Sequence, residues 1–389
     1  MDHTENTLTP GKYYPKNIPA PDARDILALL GEYGHKAEGR VSLIDTSHSE
    51  KDVRLNYIVD RKWVLRLCIA PEMTEKRMLD LNRLIARYND FGLRCPRFLT
   101  DADGRFFHAW NGLICYLAEY IDLPLLQDMS REDIDAIWPE VADSVAAFAE
   151  RYKNVDLIDT MGMYSLFDLS PFDIEAGRDE KQQNCDMLIG ALRDIGEDEL
   201  AARLEKKHEK IRGKLRAVYR ELPRCVFQAD ENIGNVLVGE DKHLAGFIDF
   251  NLAGTEVIVN QLVNLGGGFT EFGEEPIGAS VRLEKRLAAD RTTLERMLSI
   301  YHASELEKKA AEWYGWIALT FGWPQVCFFL DGLKNEKMKD EILGILALLA
   351  EQEDEDEACL IRRERRRAVP SSCVQRGSHE DEPRQGFYR

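Results

Sequence analysis

A chain of 389 residues that is 44% apolar and 31% charged is long enough for two domains, or one unit of two lobes, around a sizeable core. No apolar run approaches the ~18 residues of a membrane span, and Met1-Asp2-His3-Thr4-Glu5 lacks the basic start and apolar core of a secretory leader. The formal charge of −18 argues against a nucleic-acid partner, which needs a basic face. It could draw a cationic small molecule into an acidic cleft, but plain solubility is the stronger reading.

In chain order, residues 1–20 read as a loose arm. Pro21 to Tyr33 carries Ile26, Leu27, Leu29 and Leu30, the stripe of a short helix that Gly31 or Gly34 ends. Strands are predicted at Gly39 to Ile44, Val53 to Val59 and Trp63 to Cys68, with Asp60-Arg61-Lys62 as the tight turn between the last two. Thr74 to Tyr88 places Met78, Leu81, Leu84 and Ile85 at helical spacing. Further strands are predicted at Cys95 to Leu99, Arg105 to Trp110 and Leu113 to Ile121, before Asp122-Leu123-Pro124 breaks the pattern. Beyond it the chain turns helical: Ser130 to Tyr152, one or two helices in Gln182 to Arg220, and helices within Leu283 to Tyr301, Glu305 to Trp323 and Asn335 to Glu351.

This order divides the chain into an arm (1–20), a sheet lobe with one inserted helix (21–121), a helical lobe (122–352) and a charged tail (353–389). The tail opens with Glu353-Asp354-Glu355-Asp356-Glu357 and turns to Arg362-Arg363-Glu364-Arg365-Arg366-Arg367. Like-charge blocks of this kind bury too little to hold a fixed structure. The eight cysteines show no Cys-x-x-Cys spacing, and Cys68, Cys115 and Cys327 sit in apolar stretches. A reduced, cytoplasmic chain without structural zinc is expected.

Within the helical half lies Gln228-Ala229-Asp230-Glu231-Asn232-Ile233-Gly234-Asn235, then Val236-Leu237-Val238, the turn Gly239-Glu240-Asp241-Lys242, and a second strand from Leu244 through Ile248-Asp249-Phe250. The hairpin brings Asn235 beside Asp249 and leaves Asp230 on the loop just before it. A carboxylate that can hold a hydroxyl, with an amide oxygen and a second carboxylate that can hold magnesium, is the equipment of phosphoryl transfer. The plainer alternative is a hairpin whose Asp230 and Asn232 close Asx turns.

A sheet lobe with one helix, a break, and a helical lobe carrying Asp-x4-Asn and a later Asp resembles the eukaryotic-kinase-like fold. The hairpin is similar to that of the aminoglycoside phosphotransferase and choline kinase group, whose signature runs His-Gly-Asp-x-His-x-Gly-Asn-hydrophobic and then Ile-Asp-Trp/Phe. The strict match covers about two dozen residues, and the order of elements extends it over residues 25 to 350. The resemblance implies an α+β, bilobal protein-kinase-like fold: a small N-terminal antiparallel sheet lobe and a larger, mainly helical C-terminal lobe. It implies Asp230 as the catalytic base, Asn235 and Asp249 as magnesium ligands, and Arg66 of Trp63-Val64-Leu65-Arg66-Leu67 as the phosphate clamp on its strand. Glu75 is the favoured acidic partner of Arg66, over Glu72 and Asp80. Backbone groups around Ala118 to Tyr120 would meet the adenine edge, and Asp45 to Asp52 would cover the phosphates, although that loop holds no glycine.

Gln228 and Asn232 depart from the group's two histidines, and Asn260-Gln261-Leu262 stands where an Asp is common. The implied activity is transfer of the γ-phosphate of ATP or GTP, with Mg2+, to a hydroxyl of a small molecule. Aminoglycosides, amino alcohols, sugars, nucleosides and hydroxy amino acids all remain candidates. Asp168, Asp173, Glu175, Glu256, Glu271, Glu274 and Glu275, with Trp313, Tyr314 and Trp316 as walls, would suit a cationic acceptor; the plainer roles are surface acid and core aromatic. The alternative is a nucleotide-binding pseudokinase or interaction module. A protein kinase ranks last, for want of a glycine loop, Asp-Phe-Gly or Ala-Pro-Glu. Neither nucleic acid nor membrane is an expected partner, and the oligomeric state is left open.

Overall fold

The computed structural model describes residues 8–266, apart from 174 and 176, and 276–352. Residues 1–7 of the arm, the tail from 353, and Glu271, Glu274 and Glu275 lie outside the described residues. Helix α1 (Ala23–Glu32) opens on a capping box, Asp22 accepting from the backbone N–H groups of Arg24 and Asp25. Six strands follow: β1 (Val41–Asp45), β2 (Arg54–Val59), β3 (Trp63–Cys68), β4 (Phe98–Leu99), β5 (His108–Trp110) and β6 (Leu113–Glu119), with helix α2 (Glu75–Phe91) between β3 and β4. They form one antiparallel sheet in the order β1-β2-β3-β6-β4, with β5 also on β6.

Side-chain alternation gives this sheet two different faces. Leu55, Tyr57 and Val59, Leu65 and Leu67, and Leu113, Cys115 and Leu117 pack with Ile26, Leu29 and Leu30 of α1 in one buried cluster. Arg54 and Asn56, Arg66 and Cys68, and Tyr116 and Ala118 lie on the opposite face, with Asn56, Arg66 and Tyr116 in one row across three strands. Helix α2 sits in the other apolar cluster. Its Met78, Leu81, Leu84, Ile85 and Tyr88 pack with the helical half of the chain, and Tyr88 stacks on Phe148 at 4.0 Å. The same cluster includes Cys68, Phe106 and Tyr116 of the sheet lobe, so α2 packs between the sheet and the helical half.

The helical half holds α3 (Arg131–Tyr152), α4 (Glu180–Asp194), α5 (Asp198–Val218), α6 (Ile258–Gly266), α7 (Ala279–Ile300), α8 (Glu305–Phe321), α9 (Trp323–Lys334) and α10 (Lys339–Glu351). Two small antiparallel pairs cross it: β7 (Arg224–Phe227) with β10 (Gly254–Val257), and β8 (Val236–Val238) with β9 (Leu244–Phe247). No helix among the described residues is long and apolar enough to cross a membrane.

Several boundaries differ from the sequence reading. The segment expected to run to Trp323 breaks at Gly322, whose extended backbone starts α9. β7, β10 and α6 were not anticipated; four-residue strands buried at nearly every position carry no alternation to read. The second hairpin strand stops at Phe247 rather than Phe250, because Asp249 turns into the left-handed region at φ +55°. Gly246 permits the hairpin to dock: a Cβ there would stand 1.9 Å from the Arg94 carbonyl oxygen, while Arg94 N–H donates to the Ala245 carbonyl at 2.7 Å.

Candidate active site

The hairpin gathers the polar residues of the motif into one hydrogen-bonded unit. Asn235 Nδ2 donates to Asp230 Oδ2 at 2.8 Å and to the Asp230 carbonyl at 2.9 Å. Asn232 Nδ2 donates to Asp230 Oδ1 at 2.9 Å. The Asn235 carbonyl accepts from Ile248 N–H at 2.9 Å, which sets Asn235 against the residue preceding Asp249. Burial pushes the Asp230 carboxyl above its usual range and the Asp249 charge adds to this, against the hydrogen bonds from Asn232 and Asn235 and the charge of Arg54.

Gln228 joins the two halves of the unit. Fully buried, it donates from Nε2 to the carbonyls of Ile248 and Asp249 at 2.9 and 2.6 Å, and its Oε1 accepts Asp230 N–H at 2.7 Å. Its own N–H donates to the Tyr88 hydroxyl at 3.2 Å. The neighbouring Ala229 is held at φ +68°, a conformation that costs a non-glycine residue about 1 kcal/mol or more.

Arg66 faces this unit from β3. Nε donates to Asn56 Oδ1 at 2.5 Å and Nη1 to the Tyr116 hydroxyl at 3.1 Å, while Nη2 stands 4.0 Å from Asp249 Oδ2. Burial acts to lower the pKa of the Arg66 guanidinium, but Tyr116 and Asp249 outweigh it and hold the group firmly charged. The structure does not bring Glu75 to Arg66. Glu75 accepts from Phe106 N–H at 3.3 Å, and among the described residues the carboxylate facing Arg66 is Asp249. At the far end of β6, Tyr120 N–H is taken by the Lys62 carbonyl at 2.8 Å and Glu119 N–H by Arg97 at 3.0 Å. Ala118 lies on the same sheet face as Tyr116, and with its N–H taken Tyr120 keeps only its carbonyl for a base edge.

Three supporting residues escaped the sequence reading. Asn56 ties Arg66 to the loop before β2 through Thr46 Oγ1 at 3.2 Å. Arg77 of α2 reaches the turn after Asp249, its Nη2 donating to the carbonyls of Asn251 and Ala253 at 3.0 and 2.5 Å; burial lowers its pKa to about 10. Tyr88 backs Gln228. Only Asn56 left a trace in the sequence: Arg54 and Asn56 break an apolar strand at alternate positions, which marks a polar patch on one face.

The acids and aromatics proposed as acceptor walls disperse. Asp168 is bound to Arg220, Arg224 and the Tyr219 hydroxyl. Asp173 accepts from the N–H groups of Ser170 and Glu180, and Glu175 is exposed. Trp313, Tyr314 and Trp316 are core residues. Glu256 is buried, accepting from Val257 N–H and Asn260 Nδ2 at 2.8 and 3.2 Å, and burial lifts it to about 8. Glu231, bonded to Gln261 Nε2 at 2.8 Å, is lifted by burial to about 7. Both hold a proton in the folded chain where an unfolded chain, with its ordinary value near 4.5, has lost it. Stability should therefore decline as pH rises from about 5 to about 8. Glu256→Gln, which keeps an oxygen for Val257 and Asn260, should flatten that decline; thermal melts across the window check it, and an unchanged slope would contradict it.

The profile of the phosphotransferase enzyme family matches residues 45–297, more than half of the chain and the whole of the hairpin site. No curated protein matches. Solved structures similar to the chain include a spectinomycin phosphotransferase with ADP and spectinomycin, 11% identical, covering 84% of this chain and 97% of its own, with a TM-score of 0.49. An aminoglycoside phosphotransferase from Streptomyces rimosus with ADP and streptomycin is 14% identical over 77% of this chain and 96% of its own, with a TM-score of 0.39. A ternary complex of APH(2'')-IIa with streptomycin and ATP is 14% identical over 86% and 98%, with a TM-score of 0.44. On the extent of the profile match, this chain belongs to the phosphotransferase enzyme family.

Proposed function

We propose that the protein transfers the γ-phosphate of ATP or GTP to a hydroxyl group of a small molecule, with magnesium. One observation carries this reading: Asn235 is bonded to Asp230, its carbonyl accepts from Ile248 next to Asp249, and Arg66 faces Asp249 at 4.0 Å, so two acids, an amide and a guanidinium share one site. Asp230 would orient the acceptor hydroxyl and take up its proton. A raised pKa suits that task better than an ordinary carboxylate, since a base works best near the operating pH. Arg66, already pre-positioned by Asn56 and Tyr116, would meet phosphate oxygens with its fork of donors.

The magnesium ligands fit the ion's chemistry. Asn235 commits Nδ2 to Asp230, and among the described residues its Oδ1 accepts no hydrogen bond. Asp249 Oδ1 has only a long 3.3 Å contact from Asn251 N–H. Two hard oxygen donors are what magnesium takes from a protein when phosphate and water supply the rest. No larger cluster of His, Cys, Asp or Glu able to hold a metal occurs among the described residues. When bound, magnesium would neutralise the charge on the phosphate oxygens.

For the acceptor we point to a cavity of about 220 Å³ in the helical half, lined by Tyr164, Glu180, Lys181, Asn264, Trp323 and Gln325 among others. Tyr164 also accepts Asn260 Nδ2 on its carbonyl at 2.7 Å, beside the buried Glu256. Its polar lining is of mixed sign, so a strongly cationic acceptor is not specifically favoured over a neutral polyol. The competing reading, nucleotide binding without turnover, is favoured by the loop before β2, whose amides are largely spent on its own contacts. Nucleotide consumption with magnesium over a panel of hydroxyl acceptors separates the two. Acceptor-dependent turnover supports the transferase; binding without turnover on any acceptor supports the second reading.

A further inference from the structure

The loop between β1 and β2 spends most of its backbone N–H groups on its own contacts. Thr46 N–H donates to the Arg54 carbonyl at 2.9 Å, His48 N–H to Asp52 at 3.1 Å and Asp52 N–H to Ser49 at 3.0 Å. Ser47 N–H goes to Asp45 Oδ1 and Lys51 N–H to Ser49 Oγ, at 2.9 and 3.3 Å. With no glycine and these amides committed, most of a triphosphate's charge is left to side-chain cations. Arg66 supplies one, but Asn56, Tyr116 and Asp249 already hold it in place.

Arg54 is placed to supply another. It starts β2, one step along the same sheet face from Asn56, and lies opposite Cys68 just as Asn56 lies opposite Arg66. Its backbone N–H donates to Ser47 Oγ at 2.9 Å, so the loop anchors its position. Its side chain is about one-third exposed and makes a single tie, Nε to Asp52 Oδ1 at 2.6 Å. Among the described residues neither Nη nitrogen has a hydrogen-bond partner. The register of β2 on β3 places Arg54 on the sheet face that carries Asn56 and Arg66.

We propose that Arg54 binds the terminal phosphate of the nucleotide, its Nη edge doing at the transferred group what Arg66 does nearer Asp249. This inference rests on the nucleotide-dependent reading above and adds a residue that reading does not require. A guanidinium–phosphate pair is charge-assisted and bidentate, and it should act on the γ-phosphate while leaving a diphosphate largely indifferent.

The test is calorimetric binding of ATP and of ADP, with magnesium, to the full chain carrying Arg54→Gln or Arg54→Lys. Arg54→Gln should weaken ATP by about 10-fold or more and ADP by less than about 3-fold. Arg54→Lys, a point charge without the fork, should recover part of the loss. Unfolding midpoints accompany both variants, so that a general loss of structure is not read as lost contact. An ATP-to-ADP affinity ratio unchanged in Arg54→Gln overturns this inference alone. Wild-type protein that binds neither nucleotide overturns the phosphotransferase reading and this inference together.

Discussion

Asp249→Asn should lower magnesium-dependent turnover by on the order of 100-fold or more, the range seen when one charged or polar stabiliser of a transition state is removed. Asparagine is the informative replacement because Asp249 sits at φ +55°, and asparagine tolerates left-handed backbone where most residues do not. The carbonyl that Gln228 holds, and the turn that Arg77 braces, are main-chain features that survive the change. The loss should appear as a lower kcat and a higher half-saturating magnesium concentration, with the unfolding midpoint little altered. An Asp249→Asn protein with normal magnesium dependence would remove Asp249 from the metal site and leave it as a structural counter-ion of Arg66.

Gln228→Leu should be the most destabilising single change in the site. Leucine fills a similar volume but strands the Ile248 and Asp249 carbonyls and the Asp230 N–H, all of which face Gln228. Each buried polar group left unmade costs roughly 1–3 kcal/mol, so a loss of about 3 kcal/mol or more is expected in denaturant melts. Activity should fall with it, because the same three bonds hold Asp230 and Asp249 in register. Gln228→His, which offers one donor and one acceptor, should recover most of the stability and turnover. Equal damage from His and Leu would mean that both Gln228 amide donations are indispensable; no damage from Leu would show that the brace is dispensable.

What the sequence made legible follows from what decides each feature. The hairpin and its chain of polar groups were readable because side-chain type and spacing determine them: Asp230, Asn235 and Asp249 are brought together by two short strands and a turn. Gln228 stood out in the sequence only as a departure from the group's histidine; its bonds to Ile248, Asp249 and Asp230 come from the fold. The two faces of the sheet follow from alternation, and the apolar flanks Val64, Leu65 and Leu67 mark the inner strand that carries Arg66 between β2 and β6.

The misses share another cause. The partner of Arg66 depends on how the lobes sit together, and α2, packed between the sheet and the helical half, turns Glu75 toward Phe106 while sending Arg77 to the Asp249 turn. Tyr120 N–H is closed by Lys62, a contact invisible to strand propensity. Trp313, Tyr314 and Trp316 could line a cleft or fill a core by composition alone, and packing sends them to the core.

The most direct test of the account compares wild-type protein with Asp230→Ala in nucleotide binding and in acceptor-dependent phosphoryl transfer. Asp230 is the proposed base, held by Asn235 Nδ2 at 2.8 Å. The variant should bind nucleotide as the wild type does while transfer falls by on the order of 100-fold or more. Transfer that continues at the wild-type rate without the Asp230 carboxylate would contradict the account.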